Sequence, residues 1–497
     1  MEKLFSIKQA QEIDLATQKD YLVDPLVLME QAGLKCYLNL KEFKDLSKEK
    51  TLFIGGGGNN GGDILVMARE AYLEGYTDIN VVIVASKFSD SCLRQLNILK
   101  KFNVEVTVSE TINEKITNLI NSSTLIVEGF SGTGLKGDVR EPLASLINLI
   151  NSCNSFVVSI DVPSGSADLT VKANLTITIG VKKAIAYNPL TNHYWGDIHL
   201  VKIPFAPILI EQQKEVATLY DEDDLELFKF EPNIYKNKKG HLALFGGSKN
   251  YLGAVRLASK SAFHCRVGLV TLFSDQQIVS SFSDQSPSTI IHPLKENEVV
   301  DFTDLTKYQA IACGMGWGED KEEQLFQLLK TDLPIIIDAD GIKTLLNLHL
   351  KTKVDLQKRG KLILTPHVGE FNKILKLLGI ESHGESFEEF IEKLTEVAKV
   401  LNATVVYKSS VIWISEPGGT CSVVEGKNDA LGVAGSGDVL SGIIGALLAQ
   451  GYSTHLAALY GNLIHQKGGK VAKDDLGYFD SDDLITYIGK VCRKAER

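Results

Sequence analysis

Short apolar runs recur along the chain, each followed by a segment whose apolar positions fall three and four residues apart. The first set is TLFI at 51–54, INVVIVAS at 79–86, VEVTVS at 104–109, TLIVEGF at 124–130 and FVVSIDV at 156–162. The second is HLALFGG at 241–247, AIACGMG at 310–316, PIIIDADG at 334–341, KLILTPH at 361–367 and TVVYKS at 404–409. A run that is apolar throughout predicts a strand buried on both faces, and the spacing between runs predicts the helices that cover it. The expected fold class is α/β with parallel sheets. Ligands in such sheets bind beyond the carboxyl ends of the strands, so the residues after each run are the ones to inspect.

The alternation breaks between Pro204 and Gly240, where EQQKEVATLYDEDDLELFKFEPNIYKNKKG is rich in charge and has no clear strand. Two domains are expected, 1–215 and 216–497, with DEDDLELF read either as part of the break or as a surface helix of the second domain. A length of 497 residues at 44% apolar content supports large cores and argues against disorder. The net charge of −10 gives no footprint for nucleic acid, so small molecules are the expected partners. Seven scattered cysteines without a C-x-x-C pair suggest neither a disulfide framework nor a zinc site. The start MEKLFSIKQAQEID lacks the apolar core of a signal peptide, and no apolar stretch reaches about 18 residues. A cytoplasmic protein that does not enter a membrane is expected.

The candidate chemistry begins at GGGGNNGGD, Gly55 to Asp63, between a strand and a helix. Gly56, Gly58 and Gly61 have the spacing of a dinucleotide fingerprint, but the second strand ends at Ser86 and Lys87 without its ribose-holding acid. The loop also lacks the lysine of a P-loop. What it carries is Asn59, Asn60 and Asp63, the last being either a ligand group or a helix cap. TLIVEGFSGTG delivers Glu128 and the turn Gly132-Thr133-Gly134, and FVVSIDVPSG delivers Asp161, Pro163, Ser164 and Gly165. Three polar strand ends in one sheet point to a site.

Together with LMEQAG at Leu28 to Gly33, these motifs resemble the NAD(P)H-hydrate epimerases, which interconvert the C6 epimers of hydrated nicotinamide dinucleotides; the likeness runs from about residue 10 to 205. It implies a Rossmann-like three-layer domain. It implies substrate binding by Asn59, Asn60, Gly61, Gly62, Asp63, Gly132, Thr133, Gly134, Leu135, Lys136, Gly137, Asp138 and Asp161. It also implies a potassium ion on Asn60, Glu128 and Ser164, and Asp161 as the acid/base. Oxygen ligands suit a hard cation, and a placed carboxylate suits proton transfer. Glu128 stands where the family usually has Asp, Ile64 where it has Gly, and the loop after Gly165 is short. Lys183 matches a family lysine and is read either as a substrate contact or as an exposed surface lysine.

In the second half, GVAGSGDVLSGIIGALLAQG opens an apolar helix at Gly435-Ser436-Gly437-Asp438. Free N–H groups at a helix start face an anion well, but roughly half a positive charge cannot balance a transferring phosphoryl group, so a divalent ion is implied. Asp438 is then either the base for an attacking hydroxyl or a helix cap. The pattern is similar to ribokinase-like kinases. With GGSKNYLGAVRLASKSAF, GMGWG, PIIIDADG, LTPHVGEF and VVYKSS, residues 238 to about 488 resemble NAD(P)H-hydrate dehydratases. That likeness implies substrate contacts at Ala254, Gly316, His367 and Asp438, with His367 otherwise read as a helix-capping or core histidine. It implies an ADP site at Lys408, Ser409, Ser410, Val411, Ile412 and Gly437, with magnesium and with Asp438 as base. Glu370, Asp338 and Asp340 are further candidates, Glu370 equally as a cap and Asp340-Gly341 equally as a turn.

The two resemblances imply a bifunctional lyase and isomerase that takes NADHX, NADPHX and ADP and forms a homo-oligomer. The competing reading is a vitamin or sugar kinase with a non-catalytic dinucleotide-binding N-terminal domain.

Overall fold

The computed structural model describes residues 1–130, 139–166, 168–279, 282, 287–295, 298–352, 356–380 and 386–497. The chain divides into two compact units, Glu2–Ala217 and Thr218–Arg497, with Met1 counted in the second.

The N-terminal unit opens with α1 (Ile7–Asp20), started by a Ser6 and Gln9 capping box, and α2 (Pro25–Phe43), started by Asp24 with Pro25 at its first position. Both starts satisfy helix N–H groups that would otherwise lack partners. Alternation follows: β1 (Thr51–Gly55), α3 (Asn59–Leu73), β2 (Ile79–Val84), α4 (Asp90–Lys101), β3 (Val106–Ser109), β4 (Leu125–Gly129), β5 (Phe156–Ile160), β6 (Leu175–Ile179) and β7 (Asp197–Val201). The sheet order is β3-β2-β1-β4-β5-β6-β7, parallel at every pairing. The chain therefore reverses its direction of growth between β1 and β4, the place where a parallel sheet opens a crevice. The LMEQAG motif lies on α2, where Gly33 lets the helix sit against Val66 of α3 and Met29 packs on Gly62.

The C-terminal unit contains β8 (His241–Phe245), α5 (Leu252–His264), β9 (Leu269–Asp275), β10 (Ile290–Leu294), β11 (Ala310–Cys313), β12 (Ile335–Ile337), α6 (Asp340–Thr352) and β13 (Leu362–Leu364). These are followed by α7 (Val368–Leu378), α8 (Phe387–Val400), β14 (Ala403–Tyr407), β15 (Val411–Ser415), β16 (Cys421–Glu425), α9 (Ser436–Ala449), α10 (Thr454–Leu476) and α11 (Ser481–Lys494). The order is β16-β15-β14-β13-β12-β11-β8-β9-β10, and growth reverses between β8 and β11. It is not wholly parallel. β14, β15 and β16 pair antiparallel: a three-residue connection, Lys408 to Ser410, joins the first two, and the turn after Ser415, with Gly418 in the left-handed region, folds the chain straight back into the third. α9 is buried on nearly all sides, as its all-apolar sequence requires, and Gly442 lets its backbone meet Ala258 of α5.

The charged stretch before β8 is more structured than its pattern suggests. It holds the short helix Pro207–Gln212, the strand Ala217–Tyr220 and, in place of a surface helix in DEDDLELF, a single 3-10 turn at Glu222–Asp224. Among the described residues no helix is long and apolar enough to cross a membrane.

Candidate active sites

The glycines of GGGGNNGGD shape the turn from β1 into α3. A side chain at Gly57 would strike the Lys87 carbonyl beyond β2, and one at Gly61 the Gly56 carbonyl, so the turn packs backbone to backbone both on the segment after β2 and on itself. Gly58 is the helix cap residue and has open space beside it. Asp63 lies in the second turn of α3 and makes no cap, because the N–H groups in need of one belong to the first turn.

A cavity of about 640 Å³ opens beyond the ends of β1, β4 and β5, and Gly58, Asn59, Asn60, Asp63, Phe130, Asp161 and Lys183 line it together with Asp14 of α1. Asp161 follows β5 directly and sits at φ 68, in the left-handed region. Its carboxylate accepts from the Ile179 N–H at 3.0 Å and from the Lys183 ammonium. Lys183 also reaches the Thr178 hydroxyl and the Ile179 carbonyl, at 3.1 and 2.7 Å. Its side chain is 2% exposed, which rules out the surface-lysine reading. Burial pushes the Asp63 carboxyl well above its ordinary range, and the nearby Asp161 and Asp14 carboxylates add to that. Burial raises Asp14 too, against a hydrogen bond from Gln18.

Glu128 sits beside Ser159 in the β4–β5 register and is fully buried. Its carboxylate accepts from the Ser159 and Ser164 hydroxyls and from the Ser164 N–H at 3.1 Å and the Phe130 N–H at 3.4 Å. Burial raises its carboxyl above the usual range while these bonds pull it down. Asn60 donates to the Ile160 carbonyl at 2.8 Å, and its own side-chain oxygen is buried with no hydrogen-bond partner. An orphaned oxygen among oxygen ligands fits a hard cation such as potassium. Ile64 is fully buried against Gly129, filling the space that its side chain claims. Gly132, Thr133, Gly134, Leu135, Lys136, Gly137 and Asp138 lie outside the described residues.

In the C-terminal unit a cavity of about 800 Å³ is lined by His367, Lys408, Ser409, Ser410, Ile412, Gly437 and, from α10, Asn462 and His465. Val411 is fully buried within β15 and is not in the lining. His367 caps α7: its Nδ1 accepts from the Gly369 and Glu370 N–H groups, and Glu370 accepts from the His367 N–H at 3.0 Å. Glu370 is thus a capping residue here. The bridge between His367 and Lys408 places β13 and β14 ends side by side. Ala254 and Gly316 adjoin each other, Gly316 being held at φ 57 against Tyr251. Neither lines that cavity.

Lys408 is held by Asp338, the residue after β12, at 2.9 Å, and Ser441 donates to the other Asp338 oxygen at 2.6 Å. Burial disfavours the Asp338 anion, but the Lys408 ammonium and the Ser441 hydroxyl outweigh it and hold the carboxyl below its usual range. The Lys408 ammonium comes within 3.6 Å of where a Gly437 side chain would begin, at the first turn of α9. Asp438 lies in that turn and makes no cap bond. Burial, then the Asp338 carboxylate, push it up to about 7, with Lys408 opposing. Asp340 starts α6 and accepts from the Gly318 N–H at 2.9 Å. His465, kept neutral by burial with a pKa of about 4, pairs with the Ser436 hydroxyl at 3.1 Å. Asp14, Asn462 and His465 escape a sequence reading because they lie inside helices, away from any strand end.

The NAD(P)H-hydrate dehydratase family model matches residues 242–490, and the model for the YjeF-related protein N-terminus matches residues 25–185. The bifunctional NAD(P)H-hydrate repair enzyme of Dictyoglomus turgidum is 28% identical over 502 residues, covering 93% of this chain and 92% of its own length. That of Thermofilum pendens is 26% identical over 520 residues, covering 99% and 96%. Among solved structures, the ADP/ATP-dependent NAD(P)H-hydrate dehydratase from Bacillus subtilis co-crystallised with ATP and Mg2+ is 22% identical, covers 56% of this chain and 99% of its own, and has a TM-score of 0.46.

Proposed function

The chain belongs to the NAD(P)H-hydrate dehydratase family, and from that premise we propose that it repairs hydrated nicotinamide dinucleotides with two activities. Residues 1–215 exchange the two epimers of NADHX or NADPHX, and residues 216–497 dehydrate the S epimer at the expense of ADP. The observation that supports this most is Asp438, a carboxyl with a pKa of about 7 in the first turn of α9, within the electrostatic reach of Lys408. A base titrating near neutrality is half ionised at working pH and suited to take a hydroxyl proton.

Hydroxide is a poor leaving group from a saturated ring carbon. Asp438 draws the proton from that hydroxyl, whose oxygen attacks the terminal phosphorus of ADP, and AMP departs. Lys408, fixed by Asp338, faces the charge that builds on the phosphoryl oxygens. Phosphate then leaves the ring, a ring proton is lost, and the reduced nicotinamide is restored. Magnesium would arrive with the phosphates and take at most one or two carboxylates from the chain, with Asp438 at hand. In the N-terminal unit Asn60, Glu128 and Ser164 would hold potassium, and Asp161, held in place by Lys183, moves the proton. The free thiols suit a reducing compartment such as the cytoplasm.

Racemic hydrated NADH given with ADP or ATP tests the whole. Full recovery of NADH absorbance supports both activities, recovery of half supports dehydration alone, and no recovery overturns the proposal. A phosphorylated product that accumulates instead would favour the small-molecule kinase reading.

A further inference from the structure

Asp63 lines the N-terminal cavity, is 8% exposed and receives no hydrogen bond from any described residue. Asp161 lines the same cavity and is held by the Lys183 ammonium and the Ile179 N–H. The two carboxyls arrive from different elements, Asp63 from the second turn of α3 and Asp161 from the end of β5. We propose that Asp63 is the proton donor and Asp161 the proton acceptor of the N-terminal reaction, working from one cavity. This rests on the epimerase reading of that unit.

The surroundings divide the roles. Every donor found at this pair of carboxyls among the described residues goes to Asp161, which is poised to accept, and none goes to Asp63. Asp63 is buried and faced by the carboxylates of Asp161 and Asp14, by the opposing Lys183 ammonium and by the thiols of Cys36 and Cys92, and burial with the two carboxylates favours its neutral form. A carboxyl raised by burial, beside a second one that accepts from a lysine and a backbone N–H, is a usual making of an acid and a base in one site.

The hydrated carbon lies next to the ring nitrogen. As its carbon–oxygen bond breaks, the nitrogen lone pair forms a second bond to that carbon, and the Asp63 proton passes to the departing oxygen, which leaves as water. Water adds to the opposite face, gives a proton to Asp161, and the carbon–nitrogen double bond returns to a single bond. Asp63 has lost one proton and Asp161 has gained one, so the pair is then set for the reverse inversion, and exchange with solvent resets it. No oxidant or further reactant is needed.

Purified S epimer incubated with the full chain and no nucleotide isolates this step, with the epimers separated by chromatography. Asp63→Asn should lower kcat by about 10²-fold or more with KM little changed. It should also remove the fall in rate that wild type shows as rising pH deprotonates the donor. Asp63→Glu should regain part of kcat. In heavy-oxygen water each inversion should bring in one solvent oxygen. Thermal unfolding of the variant chain beside wild type reports that the N-terminal unit has folded, and dehydration with ADP that the C-terminal unit has. A raised KM with kcat kept, an unchanged pH profile, or retention of the original oxygen overturns the assignment of Asp63. Absence of exchange in wild type overturns the epimerase reading itself.

Discussion

Each unit sets a carboxylate and a lysine against each other at the end of a buried parallel strand, and the two pairs are used in opposite senses. In the N-terminal unit the carboxylate is the more open member, Asp161 at 16% exposure over Lys183 at 2%. In the C-terminal unit the lysine is, Lys408 at 20% over Asp338 at 4%. The buried member fixes the more open one, although Lys183 also reaches the cavity wall. A site that must move protons presents the anion, and one that must meet phosphate presents the cation. Both units then add a second carboxyl, raised by burial, on the helix that follows a glycine turn: Asp63 on α3 and Asp438 on α9.

The comparison breaks most sharply at Asp438. Asp438→Ala should slow dehydration by ~10²–10⁴-fold, the range a positioned proton-transfer group contributes, and leave epimer exchange intact. Loss of both activities would contradict separate sites.

Next come the buried partners. Asp338→Asn removes the counter-charge of Lys408 and should cost about 3 kcal/mol of unfolding free energy, at the low end for a broken buried pair because Lys408 keeps some contact with water. Urea unfolding measures it. Lys183→Met leaves Asp161 as the unpaired charge, at 16% exposure against 20% for Lys408, and should cost a similar amount. No measurable cost at either pair would sink the idea that the buried member fixes its partner.

The pH dependence follows from Asp438. Its folded pKa of about 7 lies above the ordinary 3.8, so between these values the folded state holds a proton that the unfolded state has released. The stability it contributes is present at low pH and is lost as pH rises toward 7, while dehydration gains its ionised base over the upper part of that window. Asp438→Asn should flatten the stability change. A rate profile with no acid limb near neutrality would remove Asp438 as the base.

The smallest effect is expected from exchanging potassium for choline. Epimer exchange should slow and dehydration in the presence of the same magnesium should not. The carboxylate of Glu128 already accepts bonds from Ser159, Ser164 and Phe130, so less of the site depends on the ion.

The strand ends were legible because a buried parallel strand is an unbroken apolar run and the polar residue after it stands out. Asp161, Glu128, Asp338 and His367 were all visible in that way. The role of Lys183 was not, since its burial depends on a partner 22 residues earlier, and no local pattern records that. The pairing of Asp338 with Lys408 spans 70 residues and escaped for the same reason. Asp14 reads as the polar face of an amphipathic helix, and only the docking of α1 over the sheet makes it part of a cavity. The β15–β16 hairpin was missed because both its strands are buried and so lack the alternation that marks an antiparallel pair.

The left-handed backbone at Asp161 has a practical consequence for anyone building variants. Asn is among the few side chains that tolerate this region, whereas a β-branched residue there would strain the chain. Asp161→Asn therefore separates charge from conformation: a folded protein with its turn intact, its base erased and its cavity still shaped for the ligand. Such a protein is a natural trap for holding an unreacted hydrate long enough to be seen.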